Sequence, residues 1–139
     1  MGKITTICLN CQEEKEVNNN NKYSCLPKFC SIKCQQEHRR KERIRLWLDE
    51  GVVPDQRQIK KYLVEKFNNT CYTCGITEWN NKPIVLDLEH IDGNSENNNI
   101  ENLCLLCPNC HSQTDTFKGA NKGKGRHSRR IRYAQGKSY

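Results

Sequence analysis

Within 23 residues, from Glu89 to His111, the chain places a carboxylate, two imidazoles and a side-chain amide in three short runs. These are Glu89-His90, Glu101-Asn102-Leu103 and Cys107-Pro108-Asn109-Cys110-His111. The hard oxygen of Glu89 suits magnesium or manganese better than zinc. His111 directly follows a cysteine and can complete a metal pair with Glu89. His90, with an ordinary pKa of about 6.5, can accept a proton near neutral pH. A divalent ion beside it would polarise a phosphate and neutralise charge on a leaving oxygen. Asn102 can tether the intervening loop through its amide. Asp115 follows His111 by one helical turn and is read as a third ligand or a surface carboxylate. Together these groups predict cleavage of nucleic acid.

A second chemistry is carried by sulfur. Ten cysteines stand at 8, 11, 25, 30, 34, 71, 74, 104, 107 and 110. The C-x-x-C pairs 8/11, 71/74 and 107/110, with the C-x-x-x-C pair 30/34, read as tetrahedral zinc half-sites. Two structural zinc sites are expected: Cys8, Cys11, Cys30 and Cys34; and Cys71, Cys74, Cys107 and Cys110. Four thiolates close a coordination sphere, so both ions would hold structure and not catalyse. Cys25 is a spare thiol that could replace Cys30. Cys104 reads as a packed small hydrophobe. Reduced thiolates on zinc, with neither a secretory signal nor an apolar run of membrane-spanning length in this sequence, predict a cytoplasmic protein.

Composition agrees with metal support. The 139 residues are 35% hydrophobic with a mean hydropathy of −0.93, little for a self-sufficient core. The net charge of +7 is unevenly placed. From Thr116 to Tyr139 there are eight Lys and Arg and no Asp or Glu, while the rest holds 15 basic and 16 acidic residues. The tail therefore carries the whole excess, which points to a polyanionic partner. Lys118, Lys122, Lys124, Arg126, Arg129, Arg130 and Arg132 are the candidate phosphate contacts there. Arg39, Arg40 and Arg43 form a second basic cluster. His38 and His127 read as solvated or phosphate-facing.

The elements that must position these groups form a small α+β, zinc-stabilised chain. Residues 1–36 predict a zinc ribbon or treble-clef-like finger, with the asparagine run Asn18–Asn21 as its hairpin tip. Residues 37–69 predict a helical linker. One helix runs from Ser31, its cap, to about residue 50, with Ile44, Trp47 and Leu48 as its apolar stripe and Gly51 as its stop. A second helix runs from about Pro54 to Phe67, with Ile59, Leu63 and Phe67 on one face. Residues 70–118 predict a strand over Ile84–Ile91, a turn at Asp92-Gly93-Asn94, a strand over Leu103–Leu106, and a helix from about Pro108 to Phe117. Residues 119–139 are a basic tail with a short helix near 128–134. Glu89 and His90, adjacent in a strand, leave opposite faces. A bend after His90 is needed for both to serve one centre.

The run Leu88-Glu89-His90-Ile91-Asp92-Gly93-Asn94, then Glu101-Asn102-Leu103, then Leu105-Leu106-Cys107-Pro108-Asn109-Cys110-His111-Ser112-Gln113-Thr114 resembles the HNH endonuclease pattern. It resembles in particular the zinc-bound, homing-type HNH proteins of phages. The resemblance covers residues 71 to about 118. The tail from Asn121 also looks like tails that follow this domain, and the N-terminal module resembles an accessory zinc finger. The resemblance implies a ββα-metal fold with one catalytic divalent ion, Mg2+ or Mn2+. It implies His90 as the base, Asn102 as the structural asparagine and His111 as the metal-binding histidine. Glu89 stands where the family usually has aspartate or histidine, and Asp115 where some members have another histidine.

The expected substrate is DNA, double-stranded. One such centre cuts one strand per visit, so nicking is the monomer expectation and a double-strand break would suggest a homodimer; a phage protein is the other expected partner. Two other readings share the finger and the tail: a non-catalytic zinc-finger DNA-binding protein, and a partner-dependent phage nuclease or assembly factor. Glu89, His90 and His111 are what a pure binder does not need.

Overall fold

The computed structural model describes residues 2–18, 28–121 and 127–137, and the chain divides into two compact units, 1–52 and 53–139. In the first unit β1 (Lys3–Ile7) pairs antiparallel with β2 (Glu14–Asn18), with Lys3 opposite Asn18 and Ile7 opposite Glu14. The tip of this hairpin is the Cys8-Leu9-Asn10-Cys11 knuckle. Its closing bonds are Cys8 N–H to the Glu13 carbonyl (3.0 Å) and Gln12 N–H to the Cys8 carbonyl (2.9 Å). Of the tip expected at Asn18–Asn21, Asn18 instead ends β2, and residues 19–21, like Cys25, lie outside the described residues. A knuckle reverses the chain because its amides turn inward around sulfur.

The helix α1 (Ile32–Glu50) begins where Ser31 accepts from the Cys34 N–H and ends at Gly51, at φ +71°. That left-handed conformation favours glycine, and the Gly51 N–H returns to helix carbonyls. Ile44 and Trp47 are buried, whereas Leu48 is exposed.

In the second unit α2 (Gln56–Lys66) is capped by Asp55, whose carboxylate accepts from the Arg57 and Gln58 amides. Ile59 and Leu63 are wholly buried and lie on the face that packs against β6 (Leu103–Leu106). All four β6 residues are buried, with α2 packed on the strand and a second strand beside it. The strand β5 (Asp87–His90) is its antiparallel partner, pairing Asp87 with Leu106 and His90 with Leu103.

The expected strand over Ile84–Ile91 is shorter at both ends. The Ile84 N–H goes to the Thr77 carbonyl and the Ile84 carbonyl accepts from Asn69, so its backbone is satisfied outside the β5–β6 ladder. A short hairpin precedes it: β3 (Glu78–Trp79) and β4 (Lys82–Pro83), turned by Asn80 and Asn81, both at positive φ. Two left-handed residues make the tight turn that matches strand twist, and asparagine tolerates them. The helix α3 spans Pro108–Ser112, and α4 spans His127–Ala134. Among the described residues no helix is long and apolar enough to cross a membrane.

Leu63 has no exposed surface and joins α2 to β6. Leu63→Ala is expected to cost about 2–5 kcal/mol of stability, measured by urea unfolding of the full chain. A smaller loss than that range would mean the α2–β6 contact is dispensable.

Candidate metal centres and active site

Each cysteine cluster assembles from two local turns. Cys8, Cys11, Cys30 and Cys34 form one group, and Cys71, Cys74, Cys107 and Cys110 the other; within each, the sulfurs lie within 4.8 Å of one another. In the second group Cys107 N–H donates to Cys71 Sγ (3.3 Å) and Cys110 N–H to Cys107 Sγ (3.4 Å). Burial opposes ionisation of Cys8 and Cys71, but backbone amides outweigh it and bring each thiol down to about 6. The neighbouring thiols respond in the other direction. Cys34 beside Cys30, and Cys107 beside Cys110, push Cys30 and Cys110 up to about 12. Four thiols so close do not all ionise unless a cation joins them, and amide-stabilised thiolates are the donor set a tetrahedral soft-metal site requires. Cys104 stands apart, buried in β6, its thiol raised to about 11 first by burial and then by Glu89.

The knuckle at 71–74 is tied to β6 by Tyr72 N–H to the Leu105 carbonyl (2.8 Å). It turns at Gly75, whose φ of +74° is one that glycine holds without strain. Cys107 caps α3 and Pro108 opens it. His111, three residues further, is therefore set by the same cluster.

The imidazole of His111 lies between two carboxylates of β5. Its Nε2 is 3.0 Å from Glu89 Oε2, and its Nδ1 is 3.2 Å from Asp87 Oδ2. Asp87 and Glu89 are two residues apart and so share one face of the strand. Glu89 is the more enclosed, its side chain 13% exposed against 47% for Asp87. Thr116 donates its hydroxyl to Glu89 Oε1, and Phe117 packs edge-on to the His111 ring. Asp87 was not among the expected site residues, although its parity with Glu89 was a usable signal. No sequence signal singled out Thr116.

Residue Asp115 is not brought to His111 by a helix. The helix expected to reach Phe117 stops at Ser112, and Asp115 is exposed on the turn beyond it. Thr114 Oγ1 donates to the His111 carbonyl, and Gln113 N–H closes on Cys110. These bonds take carbonyls that another helical turn would need.

His90 ends β5, on the opposite face from Glu89. A turn follows at once, with Gly93 at φ +70° and its N–H on the His90 carbonyl (2.8 Å). His90 Nε2 lies 3.1 Å from Asn98 Oδ1. Asn102 braces this loop: it accepts from Asp92 N–H (3.0 Å) and donates to Asp92 Oδ1 (2.9 Å) and the Asn97 carbonyl (2.8 Å). The amides of Asn97, Asn94 and Asn102 hold the Asp92 carboxyl below its usual range. Asn98 lies in a run of asparagines, so nothing in the sequence distinguished it as the partner of His90.

The chain was compared with known proteins. It is 56% identical over 54 residues to the H-N-H endonuclease F-TflIV of Escherichia phage T5, covering 39% of this chain and 24% of that protein. That stretch is related to the H-N-H endonucleases. A second relative, Zorya protein ZorE of Escherichia coli, is 32% identical over 69 residues, covering 50% of this chain and 18% of that protein. The chain thus spans about a quarter or less of the length of these relatives. No family model matches the chain. No solved structure matches it.

The candidate DNA-binding cations are spread over both units. Arg39 and Arg43 are exposed on α1, and Arg40 is half-buried. Lys118 lies over the Phe117 ring, Arg130 pairs with Glu96 (2.6 Å), and Arg132 is exposed. Lys122, Lys124 and Arg126 lie outside the described residues, as does the Arg129 side chain.

Reconstitution with cobalt is expected to load two ions per chain, seen as thiolate-to-cobalt charge-transfer absorption. Cys34→Ser and Cys110→Ser should each remove one. Cobalt affinity should weaken as pH falls, most steeply below about 6, where the thiols of Cys8 and Cys71 in the metal-free chain take up protons. A single ion in the unaltered chain would rule out one of the two clusters.

Proposed function

We propose that this chain is a metal-dependent endonuclease that hydrolyses phosphodiester bonds of double-stranded DNA. His90 is the general base, and Glu89 and His111 hold one Mg2+ or Mn2+. The cysteine clusters hold two structural zinc ions. The observation that carries the reading is the pair Glu89 Oε2 and His111 Nε2, facing each other at 3.0 Å. Neighbouring ligands of an octahedral ion bound at about 2.0–2.1 Å lie roughly 3 Å apart, so this pair fits one edge of such a sphere. When bound, the ion supplies Lewis acidity at a phosphoryl oxygen. The relationship to a protein named an H-N-H endonuclease supports the same reading.

The remaining steps belong to the chain. An amide oxygen only accepts, so the Asn98 contact puts the His90 proton on Nε2 and leaves Nδ1 to take a proton from the attacking water. Asn102 acts at one remove, keeping residues 92–98 folded so that Asn98 stays against His90. Asp87 accepts from His111 Nδ1–H, which directs the Nε2 lone pair toward Glu89. Asp115, exposed beyond α3, is left out of the ligand set. The proposed organisation is a finger at 1–36, a helical segment at 37–69, a nuclease module at 70–118 and a basic tail at 119–139. The cations of α1 and the tail are assigned to DNA phosphates.

His90→Ala is expected to reduce nicking of supercoiled plasmid in magnesium or manganese by about 10²- to 10⁴-fold, with zinc content unchanged. Undiminished nicking by that variant would remove His90 as the base. No cleavage by the unaltered chain with any divalent ion would favour a DNA-binding protein without nuclease activity.

A further inference from the structure

The helix α2 presents two unlike faces. Ile59 and Leu63 are buried, while Gln56, Arg57 and Lys60 line an open cleft of about 390 Å3. The other wall of that cleft is Asp87, Leu88 and His111. A helix that carries no residue of the proposed metal centre therefore puts two cations beside its histidine.

The charges there do not balance. Two cations face one carboxylate, Asp87, and its Oδ2 is already bonded to His111 Nδ1. Arg57 feels Asp55, two residues before it. Among the described residues, however, no carboxylate forms an ion pair with the side chain of Arg57 or Lys60. Arg45 on α1 shows the contrast, within reach of Glu42, Asp49 and Glu50. The end of α2 is not itself an anion site, since Asp55 already occupies the Arg57 and Gln58 amides. The excess positive charge is therefore held by side chains, at i and i+3 on one helical face.

We propose that Arg57 and Lys60 form a phosphate-binding site for the DNA backbone, each holding a phosphate that flanks the one being cleaved. The proposal rests on the endonuclease reading above. It gives α2 a task in substrate alignment: cations that grip flanking phosphates fix the register of the duplex without reading its sequence.

The test uses the full chain carrying His90→Ala, so that DNA is bound and not consumed. Binding to a short fluorescein-labelled duplex is followed by anisotropy across a series of potassium chloride concentrations. Each phosphate contact contributes about 0.9 to the slope of log affinity against log salt, so Arg57→Gln with Lys60→Gln should make the slope shallower by about 1.8. Lys61→Gln, exposed on the same helix and outside the cleft, should change the slope little. Manganese affinity of the double variant, read by electron paramagnetic resonance, should not fall below its parent's, because removing positive charge beside the centre does not weaken cation binding. An unchanged slope in the double variant overturns the proposal, as does an equal change per charge in Lys61→Gln. Loss of manganese binding with the slope unchanged would overturn it too, and would show that the two side chains hold the geometry of the centre. If the chain with His90 intact cuts no DNA, the endonuclease reading fails, and the salt slope still decides whether α2 holds phosphate.

Discussion

The convergence of Cys71, Cys74, Cys107 and Cys110 is the constraint on which the second unit depends. Two turns 33 residues apart, measured from Cys74 to Cys107, are held sulfur to sulfur. The cluster fixes where β6 ends and where α3 begins. It also sets the position of His111, one residue past the last thiol. Without a cation the thiols do not share charge alike: Cys71 is drawn toward ionisation and Cys110 is driven from it. The apolar core beneath is small, built chiefly from Ile59, Leu63, Leu86 and the four residues of β6. Such a core has little in reserve to hold the knuckles together by packing alone.

Local chemistry was legible in the sequence, and pairing at a distance was not. The cysteine half-sites, the Ser31 cap and the Gly51 stop depend on a few adjacent residues, and spacing alone reveals them. The length of β5 depends on where the Ile84 backbone finds partners, and these are Thr77 and Asn69. The end of α3 depends on the hydroxyl of Thr114, a residue whose helix preference is only mildly unfavourable. In the first unit the β1–β2 reversal falls at the Cys8–Cys11 knuckle, where the sequence marked only a metal half-site. Within the site, Glu89, His90, Asn102 and His111 stood out by type and spacing. Their partners Asp87, Asn98 and Thr116 are common polar residues that acquire meaning only through position.

Charge is unevenly distributed along the chain. The expected phosphate contacts of the tail lie in a segment without acids, whereas α1 neutralises much of its own charge internally through Arg45 and Lys41. The tail is also not independent of the site: Arg130 on α4 reaches Glu96, in the loop that carries the partner of His90. A cation that holds a protein carboxylate must exchange it before holding a phosphate. Arg130 is therefore placed to couple tail and loop, unlike Arg132, which is exposed.

The alternation along β5 makes the centre an indicator of correct strand alignment. Asp87 and Glu89 face His111, and Leu88 and His90 face the other way, because the pleat reverses at every residue. Slipping β5 by one residue against β6 would turn Leu88 and His90 toward α3 and remove both carboxylates at once. No partly assembled version of the site lies between the two alignments. A chain that paired its strands wrongly would present Leu88 and a second imidazole to His111, and no carboxylate with which to hold a hard cation. A centre of the proposed kind would thus be inert with its strands out of register, and its chemistry would appear only with the native pairing.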